Sequence, residues 1–412
     1  MKTKKLIQII SIGFVSSVLS NIAIAAPSVE ELAQRLEKMQ IDMDNLKKQL
    51  ANRATKQDVQ LVEKKVQKAN EWRDSDTLVH MAGYADVGYT DAQSEDGSFN
   101  SANFSPIFHF QYRDLVMLEA ELEISTADNG ETDVGLEYLT IDWFVNDYMT
   151  LVGGKFLSPV GQFRQNLHPS WINKLPSAPP GFGHDGAAPV SETGLQLRGG
   201  FPLAGIRTNY AVYVGNGPEL VAEFEDGEYE LEGIEAEGFG SDRDGEKVYG
   251  GRFGILPFAD LEIGFSASTG KATVTSVEDG DDGLLSNEGA RDYDVKGADF
   301  NWLLGSFNLR GEYVETKVGS SNAGTAASPG SVWETWYTQG SYRFVGSKWE
   351  AVARYTDFDS PHLSKDQTQW AFGTNYLFTN NFIGKFSYEF NDGLSGNASD
   401  DDRFLFQMAY GF

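Results

Sequence analysis

The sequence predicts an all-β membrane fold, a 16-stranded antiparallel transmembrane β-barrel that follows an N-terminal α-helical coiled-coil segment. Three observations predict it: apolar side chains at every second position of many short segments, connections that alternate between short and long, and a heptad pattern near the N-terminus. The expected organisation is a signal peptide at residues 1–25, a coiled coil at 26–72 and the barrel at 73–412.

The N-terminal segment has the pattern of a secretory signal peptide. Three lysines among the first five residues precede the apolar stretch 6–19, and small residues lead to an expected cleavage site after Ala25. Later in the chain, no run reaches the roughly 18 to 20 apolar residues that a membrane-spanning helix needs. We therefore expect an exported protein without a helical anchor.

Residues 29–69 show the seam of a coiled coil. From Val29 to Leu50 the apolar residues are spaced alternately three and four apart, and after a break the pattern resumes from Val59 to Ala69. Because a stripe this narrow buries little apolar surface within one chain, partner helices are expected, and a self-assembled bundle is favoured. The alternative is a helix that packs on its own domain, for which a wider apolar face is expected.

The rest of the chain contains strand candidates of about ten residues. Short connections on one rim and long loops on the other are typical of transmembrane barrels, whose short turns face the periplasm. An even number of strands places both ends of the barrel on the short-turn rim, so the coiled coil is expected in the periplasm. The candidate strands are 78–90, 104–112, 115–125, 134–144, 148–157, 192–200, 206–216, 247–256, 261–270, 292–303, 306–316, 332–344, 348–357, 368–378, 382–391 and 403–412.

The last strand candidate has a clear alternation. Phe404, Phe406, Met408, Tyr410 and Phe412 fall on one face, which fits a strand that lies between lipid and either protein or water. The alternative is an edge strand of a soluble sandwich. Aromatic residues also recur beside the short turns, which is the placement expected of an interfacial aromatic girdle.

The charge of the barrel segment is strongly negative. Residues 77–412 carry 50 acidic and 20 basic side chains, which disfavours a nucleic-acid partner because phosphates would be repelled. The absence of cysteine excludes disulfides, covalent haem attachment and cysteine-ligated zinc, and no cofactor is expected. Acidic clusters at 218–246, 278–282 and 400–402 are most simply solvated loops. The alternative is that they bind Ca²⁺ or Mg²⁺, which prefer carboxylate oxygens.

Charged residues are expected inside the barrel. If the apolar side chains face lipid, then Glu119, Glu121 and Glu123 face the interior from one strand, which would be costly in a dry core but not in a hydrated channel. Arginines from later strands could face these carboxylates and set up a transverse field. The alternative is that the charges only pair along the wall. The other expected pore-lining residues are Arg198, Arg252, Arg310 and Arg354.

The loop 158–191 is too long to act only as a connection. It contains six prolines and three large aromatic residues, which favours a packed position, and the barrel interior is the available cavity. We expect a constriction loop in which Arg164, His168 and Lys174 contribute charge at the narrowest point. The alternatives are a lid over the outer mouth and a contact within a trimer.

Several short motifs resemble an outer-membrane porin family that includes the phosphate-selective porins. The segment 154–161, GKFLSPVG, resembles a strand-end motif of that family, and Phe412 resembles the terminal aromatic signal of Gram-negative outer-membrane barrels. The resemblance implies a sixteen-stranded homotrimeric diffusion channel, and the heptad segment is similar to the coiled coil of some trimeric members. It does not imply phosphate selectivity, because the phosphate-selective porins have an interior rich in lysine and arginine. Weaker motifs lie at 213–217, 250–252, 311–313, 353–355 and 373–376.

These features favour a porin, a passive water-filled channel for small hydrophilic solutes and ions in the Gram-negative outer membrane. The channel would be surrounded by lipid and lipopolysaccharide and would prefer cations weakly. A barrel enzyme is disfavoured, because none of the five histidines lies in an H-E-x-x-H motif and the sequence contains no G-x-S-x-G motif. Two alternatives stay open: a structural tether whose coiled coil contacts peptidoglycan or another periplasmic partner, and a channel selective for anions such as phosphate.

Overall fold

The computed structural model describes residues 37–38, 40–41, 76–126, 130–183, 186–225, 228–235, 242, 245–277, 288–322 and 329–412. The chain divides into two compact units, Met1–Asp74 and Ser75–Phe412. The four described residues of the first unit have helical backbone. The predicted signal peptide and almost all of the predicted coiled coil lie outside the described residues, so both stay predictions.

The second unit is built from β-strands. The strands are β1 (Thr77–Ala92), β2 (Ser98–Tyr112), β3 (Val116–Thr126), β4 (Thr132–Asn146), β5 (Met149–Leu157), β6 (Ser191–Leu203), β7 (Ile206–Gly215), β8 (Glu219–Glu225), β9 (Glu228–Glu235), β10 (Val248–Phe258), β11 (Leu261–Val277), β12 (Arg291–Leu304), β13 (Phe307–Val318), β14 (Ser331–Arg343), β15 (Trp349–Asp359), β16 (Gln367–Leu377), β17 (Phe382–Gly393) and β18 (Arg403–Gly411). Each of the sixteen predicted strands overlaps one of these. β8 and β9 lie in the predicted loop 218–246 and have no counterpart among the predicted strands.

Sixteen of the strands close into one antiparallel barrel. β1 pairs on one side with β2 and on the other with β18, where Tyr84 lies opposite Gly411. β7 pairs directly with β10, so β8 and β9 form a hairpin that is not part of the ring of strands. Closure satisfies the backbone groups that an open sheet leaves unpaired at its edges. It confirms the predicted barrel and excludes the alternative in which the last strand is a sheet edge.

The connections alternate in length around the barrel. One rim, the short-turn rim, carries turns of two to five residues, and the opposite long-loop rim carries the connections 158–190 and 216–247. In the β6–β7 turn, Ala204 and Gly205 have φ of 50° and 84°, the left-handed conformation that a two-residue type I′ hairpin turn requires. The first strand begins at the short-turn rim and the last strand ends there, as predicted.

The two faces of the barrel wall differ in chemistry. Arg310 and Glu312 on β13 are buried polar side chains, and so are Glu350 and Arg354 on β15, where they alternate with more exposed residues. This face points into the barrel. The outer face carries exposed large apolar side chains, among them Val212, Leu195, Phe253, Phe265, Trp370 and Phe372. A polar interior and an apolar exterior are the alternation expected of a transmembrane barrel.

Aromatic side chains lie on the outside beside the short turns. Trp143, Phe258, Trp349 and Phe378 are exposed there, and Phe378 stacks on Phe382 with ring centroids 4.7 Å apart. Their positions fit the predicted interfacial girdle. Among the residues that the structure describes, no helix is long and apolar enough to cross a membrane.

Candidate functional site

The connection between β5 and β6 lies inside the barrel and is called the interior loop (residues 158–190). It contains a single π-helical turn, Phe163–Leu167. The backbone N–H groups of Gln162 and Phe163 donate to the two carboxylate oxygens of Glu312 on β13, each at 3.1 Å. Gly161 has a φ of 72° and lies so close to Glu312 that a Cβ atom would overlap the carboxylate. Glycine meets both requirements.

Basic side chains of later strands donate hydrogen bonds to carbonyl groups of the interior loop. Arg354 is 1% exposed and donates to the carbonyl oxygens of Ser177 and Ala178, each at 3.1 Å. Lys385 on β17 donates to the carbonyl oxygen of Ser170. Guanidinium and ammonium groups have several N–H donors, so each can bond to more than one acceptor. The middle of the loop is therefore fixed to the wall.

Further bonds attach the loop to neighbouring strands. Lys174 donates to the Glu350 carboxylate at 2.8 and 3.0 Å, and its own carbonyl oxygen accepts from Asn375 Nδ2 at 2.9 Å. Arg310 Nη2 donates to Asn173 Oδ1 at 3.4 Å. Together with the contact from Lys385 on β17, these contacts come from β13, β15, β16 and β17, so the loop follows this part of the wall.

An apolar cluster fills the interior toward the long-loop rim. Phe182 of the interior loop packs edge to face on Tyr337, with ring centroids 5.2 Å apart, and on Phe163 at 6.0 Å. The β8–β9 hairpin adds Leu220 and Ile234 to the same cluster. β8 also pairs in parallel with the end of β11. The interior loop and the hairpin therefore share one apolar core inside the barrel.

Two cavities of about 240 and 610 Å³ lie between the interior loop and the opposite part of the wall. The smaller cavity is bounded by strands β2 to β6, and the larger one by β5 to β7 and β10 to β12. Gln165, Asn166 and Arg198 belong to both linings, so the two cavities are adjacent. Most of the other lining side chains are polar, and the space therefore suits water and hydrophilic solutes.

The smaller cavity contains the acidic face of β3. Tyr84 Oη donates to Glu121 Oε1 at 2.8 Å, and Tyr138 Oη donates to Glu119 Oε1 at 3.0 Å. From the interior loop, His168 Nε2 lies 4.0 Å from Glu121 Oε1. The cavity thus has carboxylates on its strand side and an imidazole on its loop side.

The larger cavity contains two arginines that are bound to carboxylates of the wall. Arg198 is paired with Asp142. Arg252 donates to both oxygens of Asp299, at 2.6 and 2.8 Å, and to Glu262 at 3.0 Å. The positive charge of both arginines is therefore compensated within the wall.

The structure brings together part of the predicted set. Glu119, Glu121, His168 and Arg198 line the smaller cavity, and Arg252 lines the larger one together with Arg198. Of these residues, Arg198 and Glu119 keep the most side-chain surface accessible, at 42% and 23%, whereas Glu121 keeps 2%.

The other predicted residues lie elsewhere. Arg310, Arg354 and Lys174 bond to the interior loop or to the strands beneath it. Arg164 is buried within the loop, and Glu123 is half-buried on β3. None of the five is in the lining of the two described cavities.

Sequence reasoning did not identify the amides Gln165, Asn166 and Gln196 that line the open space. Gln165 and Asn166 lie in the interior loop, where uncharged polar residues show the same pattern as in a solvated loop. Gln196 shares its face of β6 with Arg198, so strand alternation could have found it.

Sequence reasoning also missed Tyr138, which shares the inner face of β4 with the buried Thr140 and Asp142. A register shift after Glu121 on β3 adds Glu137 to β4. Strict alternation fails only beyond that shift.

The described residues contain no group of three or more His, Cys, Asp or Glu side chains placed to hold a metal ion. Of the predicted cation-binding segments, 278–282 lies outside the described residues. In the segment 400–402, Asp400 and Asp402 accept hydrogen bonds from the backbone N–H groups of Gly393 and Asn391. Binding of Ca²⁺ or Mg²⁺ at the acidic loops stays a prediction.

The barrel is similar to solved outer-membrane proteins. A loop L8 deletion mutant of OmpT of Vibrio cholerae has a TM-score of 0.54 and 12% identity, over 82% of this chain and 100% of the other. The trimer form of in-vitro folded Vibrio cholerae OmpT has a TM-score of 0.51 and 11% identity, over 82% of this chain and 99% of the other. Salmonella typhi OmpF in complex with daunomycin has a TM-score of 0.52 and 14% identity, over 81% of this chain and 97% of the other. No protein-family profile and no curated protein sequence matches the chain. This likeness shows a porin-like fold.

Proposed function

We propose that this protein forms a water-filled channel in the Gram-negative outer membrane, through which small hydrophilic solutes and ions diffuse passively. The observation that carries the proposal is the polar open space between the interior loop and the opposite wall. The apolar outer face supports insertion into lipid. The porin-like fold and the sequence resemblance to the porin family support the location, and we assign no enzymatic reaction to the chain.

The interior loop narrows the channel in this proposal. Bonds to Glu312, Arg354 and Lys385 hold the loop against one side of the wall, while Gln165 and Asn166 face the open space on its other side. A loop fixed at several points has a defined position, so it would set an upper limit on solute size. We therefore expect selection by size and charge rather than tight binding of one solute.

We propose a weak preference for cations rather than a phosphate filter. Arg198 and Arg252 are paired with wall carboxylates, whereas the half-buried Glu119 carboxylate lines the same space and accepts a hydrogen bond from the uncharged Tyr138 hydroxyl. The open space therefore has a net negative character. Selectivity for phosphate, as in the family that the sequence resembles, would need uncompensated basic groups at the same place.

We also infer a homotrimer with a periplasmic coiled coil. The sequence resemblance supports it, and one solved neighbour is described as a trimer form. Three barrels side by side would place three N-terminal segments on one rim, where the heptad seams could form a parallel bundle. Native mass spectrometry of the detergent-solubilised full chain should give three copies. A result of monomers or dimers alone would refute the trimer.

Conductance in planar lipid bilayers tests the channel itself. The purified protein should give large ohmic conductance that increases in groups of three steps. Migration on gels with and without heating checks that the barrel is folded. A folded barrel without conductance at any voltage would refute the proposal, and strong anion selectivity with chloride current blocked by phosphate would favour the phosphate channel.

A further inference from the structure

A pair of histidines lies between the smaller cavity and the short-turn rim. His80 on β1 is directly opposite His109 on β2, and His109 is directly opposite Glu119 on β3. Alternate residues of a strand share a face. Tyr84 on β1 and Ile107 on β2 contact the interior, so the two histidines also point into the barrel. The pair forms a row with Glu119 across three strands.

The two imidazole rings face each other through the same type of nitrogen. Nδ1 of His80 and Nδ1 of His109 are 3.3 Å apart, and the ring planes are inclined by 33°. In a tetrahedral zinc site, two nitrogen ligands at about 2.0 to 2.1 Å from the metal are about 3.3 to 3.4 Å from each other. The two atoms therefore have the separation of neighbouring zinc ligands.

The Glu119 carboxylate lies beside His109, beyond hydrogen-bond distance. Its Oε1 lies 3.8 Å from Nε2 of His109 and accepts a hydrogen bond from Tyr138 Oη at 3.0 Å. A carboxylate beside one imidazole nitrogen favours the tautomer with the proton on that nitrogen, which leaves a lone pair on the other. In His109 the other nitrogen is Nδ1, the atom that faces His80.

We propose that His80 and His109 bind Zn²⁺ through their Nδ1 atoms. The described residues provide no cluster of three or more such ligands, so water completes the tetrahedron and the ion exchanges with solution. His80 is exposed, and the side chain of His109 keeps 25% of its surface accessible, which gives a dissolved ion access. Binding needs only the folded barrel, so it does not depend on the proposed channel function.

Equilibrium dialysis of Zn²⁺ against the detergent-solubilised full chain, purified without a histidine tag, tests the site. We expect one Zn²⁺ per chain that is lost in the double variant His80→Ala with His109→Ala. Glu119→Gln should weaken this binding by less than the roughly 10- to 100-fold that a hydrogen-bonded partner contributes, because the Glu119 carboxylate acts on His109 through its charge at 3.8 Å. Mg²⁺ should not compete, since it prefers oxygen ligands in an octahedron.

His362→Ala is the matched control. His362 lies in the β15–β16 connection on the long-loop rim, where it is bonded to Ser364, and its loss should leave Zn²⁺ binding unchanged. Heat-dependent gel migration checks that every variant forms the barrel. Equal Zn²⁺ binding by the unmodified protein and the folded double variant would overturn the proposal. So would an equal loss of binding in the control, because the ion would then not be specific to the pair.

Discussion

Arg354 shows how a single charged side chain organises the interior of the barrel. Its guanidinium bonds to the carbonyl oxygens of Ser177 and Ala178 and to Gln369 Oε1 at 2.8 Å, and the Glu389 carboxylate lies 3.9 Å away. A planar guanidinium has five N–H donors in a fixed arrangement, whereas an ammonium has three around one atom. An arginine expected to line a pore therefore holds the interior loop in place.

Replacement of Arg354 by lysine is expected to lower the thermal unfolding midpoint in detergent. Lysine keeps the charge but cannot make all of the guanidinium bonds, and each lost hydrogen bond to a charged group costs about 1.5 to 3 kcal/mol. Arg343→Lys, at an exposed position near the short-turn rim, is the matched control and should leave the midpoint unchanged. Equal midpoints for the two variants would contradict the anchoring role.

The acidic face of β3 leads to a prediction on charge selectivity. Replacing Glu119 and Glu121 together by glutamine should shift the reversal potential in asymmetric salt toward anions. The shift should be largest in dilute salt and fade near 1 M, where the Debye length falls to about 3 Å. Asp133→Asn, an exposed position at the long-loop end of β4, should cause a smaller shift. A shift of equal size in both variants would mean that distant surface charge determines selectivity.

At the scale of secondary-structure elements, the β8–β9 hairpin is separate from the ring. β7 and β10 pair with each other from Gly215 opposite Val248, so ring closure does not require the hairpin. Its apolar residues Leu220 and Ile234 instead pack into the interior cluster with Phe182. Apolar side chains packed together exclude water. The hairpin should therefore restrict the open cross-section near the long-loop rim.

Replacing residues 219–235 by a short glycine-serine linker should leave a folded barrel with a higher single-channel conductance. The expected increase follows from the removal of packed side chains from the interior. Bilayer recordings measure it, and heat-dependent gel migration checks the barrel. An unchanged conductance from a folded barrel would show that the hairpin does not narrow the path.

Point variants provide a control without a change in loop length. Leu220→Ala with Ile234→Ala should increase conductance fluctuations, because truncating a buried leucine or isoleucine costs about 2 to 5 kcal/mol. Leu363→Ala with Leu394→Ala truncates two exposed side chains at the same rim and should leave the recordings unchanged.

At the scale of the whole molecule, the barrel forms a compact unit from Ser75 to Phe412. Deletion of residues 28–72 should therefore leave a folded barrel whose conductance per barrel is unchanged. Native mass spectrometry should show a weaker trimer, because the heptad seam is expected to add to the contact between barrels. Loss of the folded barrel would contradict this independence. Unchanged conductance with impaired envelope integrity would instead support the tether.

The sequence by itself determined the sixteen strands of the ring and the orientation of their faces, except beyond the register shift in β4. The two-residue period and the turn residues are local properties, so β5, predicted at 148–157, is found at Met149–Leu157, and β18, predicted at 403–412, is found at Arg403–Gly411. The strand ends at the long-loop rim were less predictable. β11 continues to Val277 rather than 270, because its last residues pair with β8.

Only the tertiary structure decided which partners the charged side chains of the interior bond to. Arg354 and Ser177 are 177 positions apart, and no local pattern relates a loop carbonyl to an arginine at that distance. The β8–β9 hairpin was not predicted for a similar reason. Its many acidic residues are typical of a solvated loop, and Leu220 and Ile234 contact their apolar partners only inside the barrel. Alternation identifies the face on which a side chain lies, whereas its bonding partners depend on contacts between distant parts of the chain.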